Sequence, residues 1–170
     1  MAGDRGGLAI SLAECKAFLR LERDDEDAVL AGLIRTAGGL CEAFIGQWLM
    51  MRETEQRLAA ETGWQLLKVQ PVVAVLAVRE DTDLLPESAF ELDIAMSGEG
   101  WVRLRDGRAG AVVRYRAGLA ESWNDLPEPL RHGLVRLVAH LFTHRDAADA
   151  GPPPTAVAAM WRPWRRMRLG

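Results

Sequence analysis

Apolar positions change period twice along the chain. Leu12, Cys15, Phe18 and Leu19 recur at helical spacing. The run opens on Ser11-Leu12-Ala13-Glu14, a capping-box pattern in which the Ser hydroxyl accepts from the N3 amide and the Glu reaches back to the N-cap amide. This spacing predicts a short helix ending near Leu21. Asp24, Asp25, Glu26 and Asp27 then start a second helix, because carboxylates there satisfy free amides and favour the positive end of the dipole. Leu30, Leu33, Ile34, Ala37, Leu40, Cys41, Phe44, Ile45 and Trp48 continue it at i, i+3, i+4, i+7. Gly38 and Gly39 interrupt the stripe at a cost of ~1 kcal/mol each relative to Ala, and leave room for close packing or a bend.

In the middle of the chain the period falls to two. Val72 to Val78 is a continuous Val-rich run behind Pro71 and reads as a buried strand. Phe90, Leu92 and Ile94 alternate with Glu91 and Asp93. Val102 and Leu104 alternate with Trp101, Arg103 and Arg105; Val113 and Tyr115 alternate with Arg114 and Arg116. Asp106-Gly107 is a turn signal between these last two. The pattern predicts an antiparallel meander with one wet face.

The helical period returns at Leu126-Pro127-Glu128, with Pro tolerated at a helix start. Leu130, Leu134, Leu137, Val138, Leu141 and Phe142 form one stripe that reaches about Arg145. Gly151-Pro152-Pro153-Pro154 is a stiff break, after which Thr155 opens a last short helix through Met160 and Pro163 interrupts the ending WRPWRRMRLG. The expected fold is α+β: a helical bundle of about four helices from residues 8–49 and 127–168, with an inserted antiparallel β-meander subdomain at 50–120.

The chain has 170 residues, of which 49% are hydrophobic and 26% charged. These values exclude a wholly disordered chain, a collagen-like chain and a disulfide-stapled miniprotein. The net charge of −3 is uneven: residues 131–170 carry seven basic and two acidic side chains, while the rest is acidic. An acidic body with a basic tail argues against general duplex-DNA binding and allows one local basic contact at the C-terminus. The N-terminus shows no signal-peptide pattern, and no apolar run approaches the ~20 residues of a membrane span, so synthesis in a reducing cytoplasm is expected.

The candidate chemistry is sparse. Cys15 and Cys41 sit in apolar helical patterns as small buried hydrophobes, and their spacing fits neither a zinc site nor a disulfide framework. His132, His140 and His144 share a helix face, and His140 and His144 have the i, i+4 spacing of a zinc pair. Position 141 is Leu, where a metalloprotease motif needs Glu, and no third ligand is evident. There is no phosphate loop and no nucleophile elbow, so neither catalysis nor a cofactor or metal is expected. The acidic run at 24–27 is explained by its helix start.

Arg103, Arg105, Arg114 and Arg116 lie on the polar parity of two strands. They can face DNA or an acidic partner, or pair across strands with Glu91 and Asp93. The tail carries Trp161, Arg162, Trp164, Arg165, Arg166 and Arg168 around Pro163 with no acid among them. Trp and Arg are enriched in binding hot spots, so residues 155–170 read either as a docking arm or as a segment whose indoles fold back on the body. A DNA- or RNA-binding regulator using the Arg-rich tail, or a metal hydrolase using His140 and His144, are the alternatives from other classes.

The order of these elements resembles one family. SLAECKAFLRLERDDEDAVLAGLIRTAGGLCEAFIGQWL is similar to the opening of the small head–tail connector (adaptor) proteins of long-tailed phages. The Pro71 to Val75 strand, the Tyr115-Arg116-Ala117-Gly118 strand end, the Leu126 to Leu130 helix start, LVAHLFTHRD and the Pro163 to Leu169 tail follow in the family's order. Phage-like gene transfer agents use similar adaptors. The resemblance implies a non-enzymatic subunit of a closed, twelvefold ring beneath the portal protein. It also implies contact with neighbouring adaptor subunits and with the next neck (stopper) protein, and a channel that passes DNA without sequence-specific recognition. The tail then docks on the portal or an adjacent subunit, no membrane is involved, and the protein moves from the cytoplasm to the particle neck.

Overall fold

The computed structural model describes residues 10–105, 110–144 and 152–166. The Asp106-Gly107 turn, the helix end at Arg145, the start of the break at Gly151 and Arg168 of the tail lie outside them. The architecture is α+β, as the periods predict, and the described residues resolve into two compact units: those within 50–119, and those within 10–49 together with 120–166.

The second unit is helical, with α1 (Leu12–Leu19), α2 (Asp27–Ile45), α3 (Glu128–Thr143) and α4 (Thr155–Trp161). Its core is the predicted stripe. Leu30, Ile34, Ala37, Cys41 and Ile45 of α2 are buried with Leu130, Leu134, Leu137, Val138 and Leu141 of α3. Full burial of each large apolar side chain contributes ~1.5–3 kcal/mol. That outweighs the cost of mid-helix glycines: Gly38 is buried in the stripe and Gly39 is exposed. By length and mean composition alone, the helix α2 would be long and apolar enough to cross a membrane. It carries Arg35 and Glu42, and its apolar stripe is covered by α3 and α4.

Two local expectations fail here because tertiary partners compete. Ser11 makes no side-chain cap on α1. The Glu14 carboxylate instead accepts a hydrogen bond from the Trp123 indole N–H. The α1 helix stops at Leu19, where Arg20 turns left-handed at φ 57° and donates to Ala17 O. Glu26 likewise makes no side-chain cap on α2. Asp24 and Asp27 of the acidic run hold the Lys16 ammonium, at 2.5 and 2.8 Å. At the C-terminal end of α2, Gly46 takes φ 70° and donates to Glu42 O, so Trp48 lies beyond the helix.

The first unit holds β1 (Arg52–Arg57), β2 (Gln65–Leu66), β3 (Val72–Glu80), β4 (Asp83–Leu84), β5 (Phe90–Ile94), β6 (Gly100–Leu104) and β7 (Val112–Ala117). They form two antiparallel sheets rather than one meander: β1-β7-β3-β4 and β2-β6-β5. The expected neighbours β6 and β7 belong to different sheets. β5 and β6 form a true hairpin, with Phe90 opposite Leu104 and Ile94 opposite Gly100. β7 lies between β1 and β3, burying Val113, Tyr115 and Ala117 and exposing Arg114 and Arg116. The Val72 to Val78 run is not wholly buried either: bulges twist it, and Val73 and Leu76 reach solvent.

The Ala117-Gly118 strand end has a steric reason. Gly118 takes φ 142°, and a Cβ there would stand 2.5 Å from Met50 O. Only glycine lets β7 turn away at that point.

Candidate functional site

The tail splits into a buried part and an exposed part. Pro154 precedes α4, and Val157 and Trp161 on its inner face are buried. Trp161 is fully buried, its indole seated on Gly133 of α3 and tilted against Phe44 of α2 at 6.0 Å between ring centres. The expectation of Trp161 as an arm residue offering its face to a partner is therefore corrected: it is core. Gly133 leaves the space that admits the ring, a cue readable only once α3 and α4 are packed.

Past α4 a 3-10 turn, Arg162–Trp164, carries Pro163. The chain is then anchored through its backbone. Gln47 Nε2 donates to Trp164 O at 2.6 Å, and Arg166 N donates to Ile45 O at 2.9 Å. Trp164 is half-buried. Arg162 and Arg165 are exposed, and the Arg165 guanidinium lies 5.7 Å from the centre of the Phe44 ring. Arg166 is half-buried. Folding back thus removes Trp161 from partner contact and leaves a basic ridge at the end of the helical unit.

The four strand arginines do not form one surface, because they lie in two sheets. Arg103 and Arg105 both grip Glu91, Arg105 at 2.8 Å. The Arg103 hydrogen bond, aided by Arg105, holds the Glu91 carboxyl below the usual carboxylate range. This is the cross-strand pairing with Glu91 that the alternation allows; Asp93 takes no part in it. Arg103 also lies 5.0 Å over the Trp64 ring. Arg114 pairs with Glu53 of β1 at 2.5 Å, a partner the sequence reading missed because β1 (RETEQR) has no apolar residue to mark it as a strand. Arg116 is exposed and makes no ion pair among the described residues.

The histidines do not assemble a centre. His140 and His144 stack at 4.3 Å, with His144 Nδ1 2.9 Å from His140 O, while His132 is exposed one helix turn or more away. Among the described residues, no group of three His, Cys, Asp or Glu is placed to hold a metal ion. Cys15 and Cys41 are free and buried; burial pushes the Cys15 thiol up to about 12, with Glu14 adding to it, and raises Cys41 too. Neither is a ready nucleophile. A shallow groove of about 280 Å³ on the helical unit is lined by Phe18, Val135, Arg131 and His132. Its charged groups are already engaged, Glu14 by Trp123 and Arg131 by Glu128 at 3.0 Å.

No protein-family profile and no curated protein matches the chain. Solved structures do. A chain in the neck of an empty GTA particle, computed with C6 symmetry, matches with a TM-score of 0.79 at 24% identity, covering 99% of this chain and 95% of its own. A chain in the virion of a native gene transfer agent (GTA) particle matches with the same values. A chain in the neck of a native GTA particle, computed with C12 symmetry, matches with a TM-score of 0.77 at 22% identity over 99% of this chain and 94% of its own. From its first described helix to its folded-back tail, this chain has the fold of a protein found in the necks of gene transfer agent particles.

Proposed function

We propose that the protein is a structural, non-enzymatic adaptor subunit in the neck of a gene transfer agent or phage-like particle. It forms a closed ring of twelve copies beneath the portal, contacts the next neck protein below and lets DNA pass without reading its sequence. The observation that carries this reading is the match in fold over 99% of the chain to proteins in GTA necks and virions. The family resemblance in the order of motifs points the same way. Subunits are made in the cytoplasm and end in the particle neck.

The ridge of Arg162, Arg165 and Arg166, with Arg168 beyond the described residues, is the portal-facing element in this reading. The exposed Arg162 and Arg165 guanidinium groups can fork onto carboxylates, and the hydrogen bonds from the Gln47 side-chain amide to Trp164 O and from Arg166 N to Ile45 O hold the ridge against the helical unit. Arg116 is a further cation for an acidic partner or passing DNA.

Deleting the gene in a particle-producing strain tests the function. The expected result is DNA-filled heads without tails, restored by the wild-type gene. Particles that remain complete and transfer DNA normally would overturn the reading. For the ridge, Arg162→Glu with Arg165→Glu should leave the helical melt unchanged and lower head–tail joining at least tenfold. Normal joining would reject the ridge as the contact.

A further inference from the structure

The small sheet β2-β6-β5 treats its two edges differently. The outer side of β2 is closed by a side chain acting as a mock strand. Gln56 Nε2 donates to Leu66 O at 3.0 Å, and Lys68 N donates to Gln56 Oε1 at 2.8 Å. On the outer side of β5, no strand or side-chain cap is present among the described residues. An open strand edge is a template for another chain, and proteins blunt such edges with charge, proline or a bulge. β5 has neither proline nor a bulge at its edge: the ladder to β6 runs without irregularity, Glu91 is held by Arg103 and Arg105, and the exposed Asp93 is the one charge of the strand outside these ion pairs.

The edge is also apolar. Phe90, Leu92 and Ile94 share one face, opposite Leu104, Val102 and Gly100 of β6. Val102 and Leu104 are buried, whereas Leu92 is 42% and Ile94 39% exposed. Past the strand end Met96 is fully exposed at the hairpin tip. That tip is rigid: Gly98, at φ 82°, donates to Ala95 O at 2.8 Å, and Ala95 N donates to Glu99 O at 2.9 Å. A flexible apolar side chain on a braced hairpin beside an open edge suits a permanent, water-excluding contact.

We propose that the open edge of β5, with Leu92, Ile94 and Met96, is a subunit contact covered by a second copy of this chain. The inference rests on the ring reading above. A cyclic ring repeats one heterologous contact, so each copy carries two unlike surfaces, one for each of its two identical neighbours. A chain of the same fold lies in a neck computed with C12 symmetry, the arrangement in which a ring contact of this kind repeats twelve times. The permanent apolar contact falls to the neighbouring copy, and the basic ridge is left for an acidic partner.

The test places a photo-crosslinking amino acid at position 96, where the native side chain is free of the fold, and irradiates purified particles. A product of twice the subunit mass, with this chain's peptides on both sides of the link, is the expected result. A link to a different particle protein would overturn the proposal, as would absence of any link in particles that contain the protein. If the expressed protein is missing from particles, the ring reading itself falls and the contact with it. As a second readout, Leu92→Lys with Ile94→Glu should fold with an unchanged circular-dichroism melt and enter particles at least tenfold less. Undiminished entry would also refute the contact.

Discussion

Gly133→Ala is expected to destabilise the helical unit, although the same change normally strengthens a helix. Glycine inside a helix costs about 1 kcal/mol relative to Ala. Two glycines of α2, Gly32 and Gly39, have open space where a Cβ would go. There the substitution should stabilise by roughly that amount. At Gly133 the added Cβ would stand 2.2 Å from Trp161 Nε1 and 3.0 Å from two ring carbons. The indole cannot swing out, since it is fully buried and packed against Phe44. Overpacking of this kind costs ~1–3 kcal/mol, and a rigid ring puts the cost at the upper end. Subtracting the helix gain leaves a net loss of about 2 kcal/mol. For a protein of this size that lowers Tm by roughly 4–8 °C. Thermal melts followed by circular dichroism at 222 nm read the helices directly. The cause is then isolated by a double-mutant cycle with Trp161→Phe, which shrinks the ring and also removes an indole N–H that has no hydrogen-bond partner among the described residues. The two changes should be non-additive by about 1 kcal/mol or more, the double variant being more stable than the sum of the singles. A Gly133→Ala variant that melts higher than wild type, or strict additivity with Trp161→Phe, would refute the argument that this glycine is the seat of the indole.

Truncation after Pro154 removes Val157 and Trp161 from the core, and loss of a buried Trp alone costs ~3–5 kcal/mol. The shortened protein should lose its cooperative helical melt; a cooperative melt near the wild-type temperature would mean that the tail is dispensable to the fold. Gly118→Ala meets both a positive φ and the Met50 carbonyl, and should lower stability by at least about 2 kcal/mol, as measured by urea unfolding. Glu91 has its carboxyl held down by Arg103 and Arg105, and Asp24 by Lys16. The folded state therefore binds fewer protons than the unfolded one, so this stabilisation is complete above the ordinary carboxylate range, starts to fall within it and is lost as pH drops through the lowered folded-state values. Glu91→Gln should melt below wild type at neutral pH, and the gap should narrow as pH falls below the ordinary carboxylate range and through the lowered Glu91 value; a constant gap would rule out the ion pairs as its source.

The helices were legible in the sequence because their hydrogen bonds are local. Their 3.6-residue period puts Leu30, Ile34, Ala37 and Cys41 on one stripe whatever the rest of the chain does, and the same holds for Leu130, Leu134 and Leu141. The change to period two, and hence the α+β class with the β segment inserted between helices, was legible for the same reason. Strand pairing was not, because a strand finds its partners across the chain. β7 reaches back to β1, so Arg114 meets Glu53 across 61 residues, and the polar run RETEQR is recognisable as a strand only beside β7. Caps depend on competition in the same way: Ser11 and Glu14 carry a capping signature, yet Trp123 claims the carboxylate from 109 residues away. The candidate site followed this division. Composition marked the tail as Trp- and Arg-rich, but only packing decided which residues remain available to a partner. A notch left by Gly133 takes Trp161 into the core, while Arg162 and Arg165, too costly to desolvate without a buried partner, stay in water. Periodicity determined which faces of each element are apolar; which of those faces found a partner within the chain, and which, like the edge of β5, did not, was decided by the tertiary fold alone.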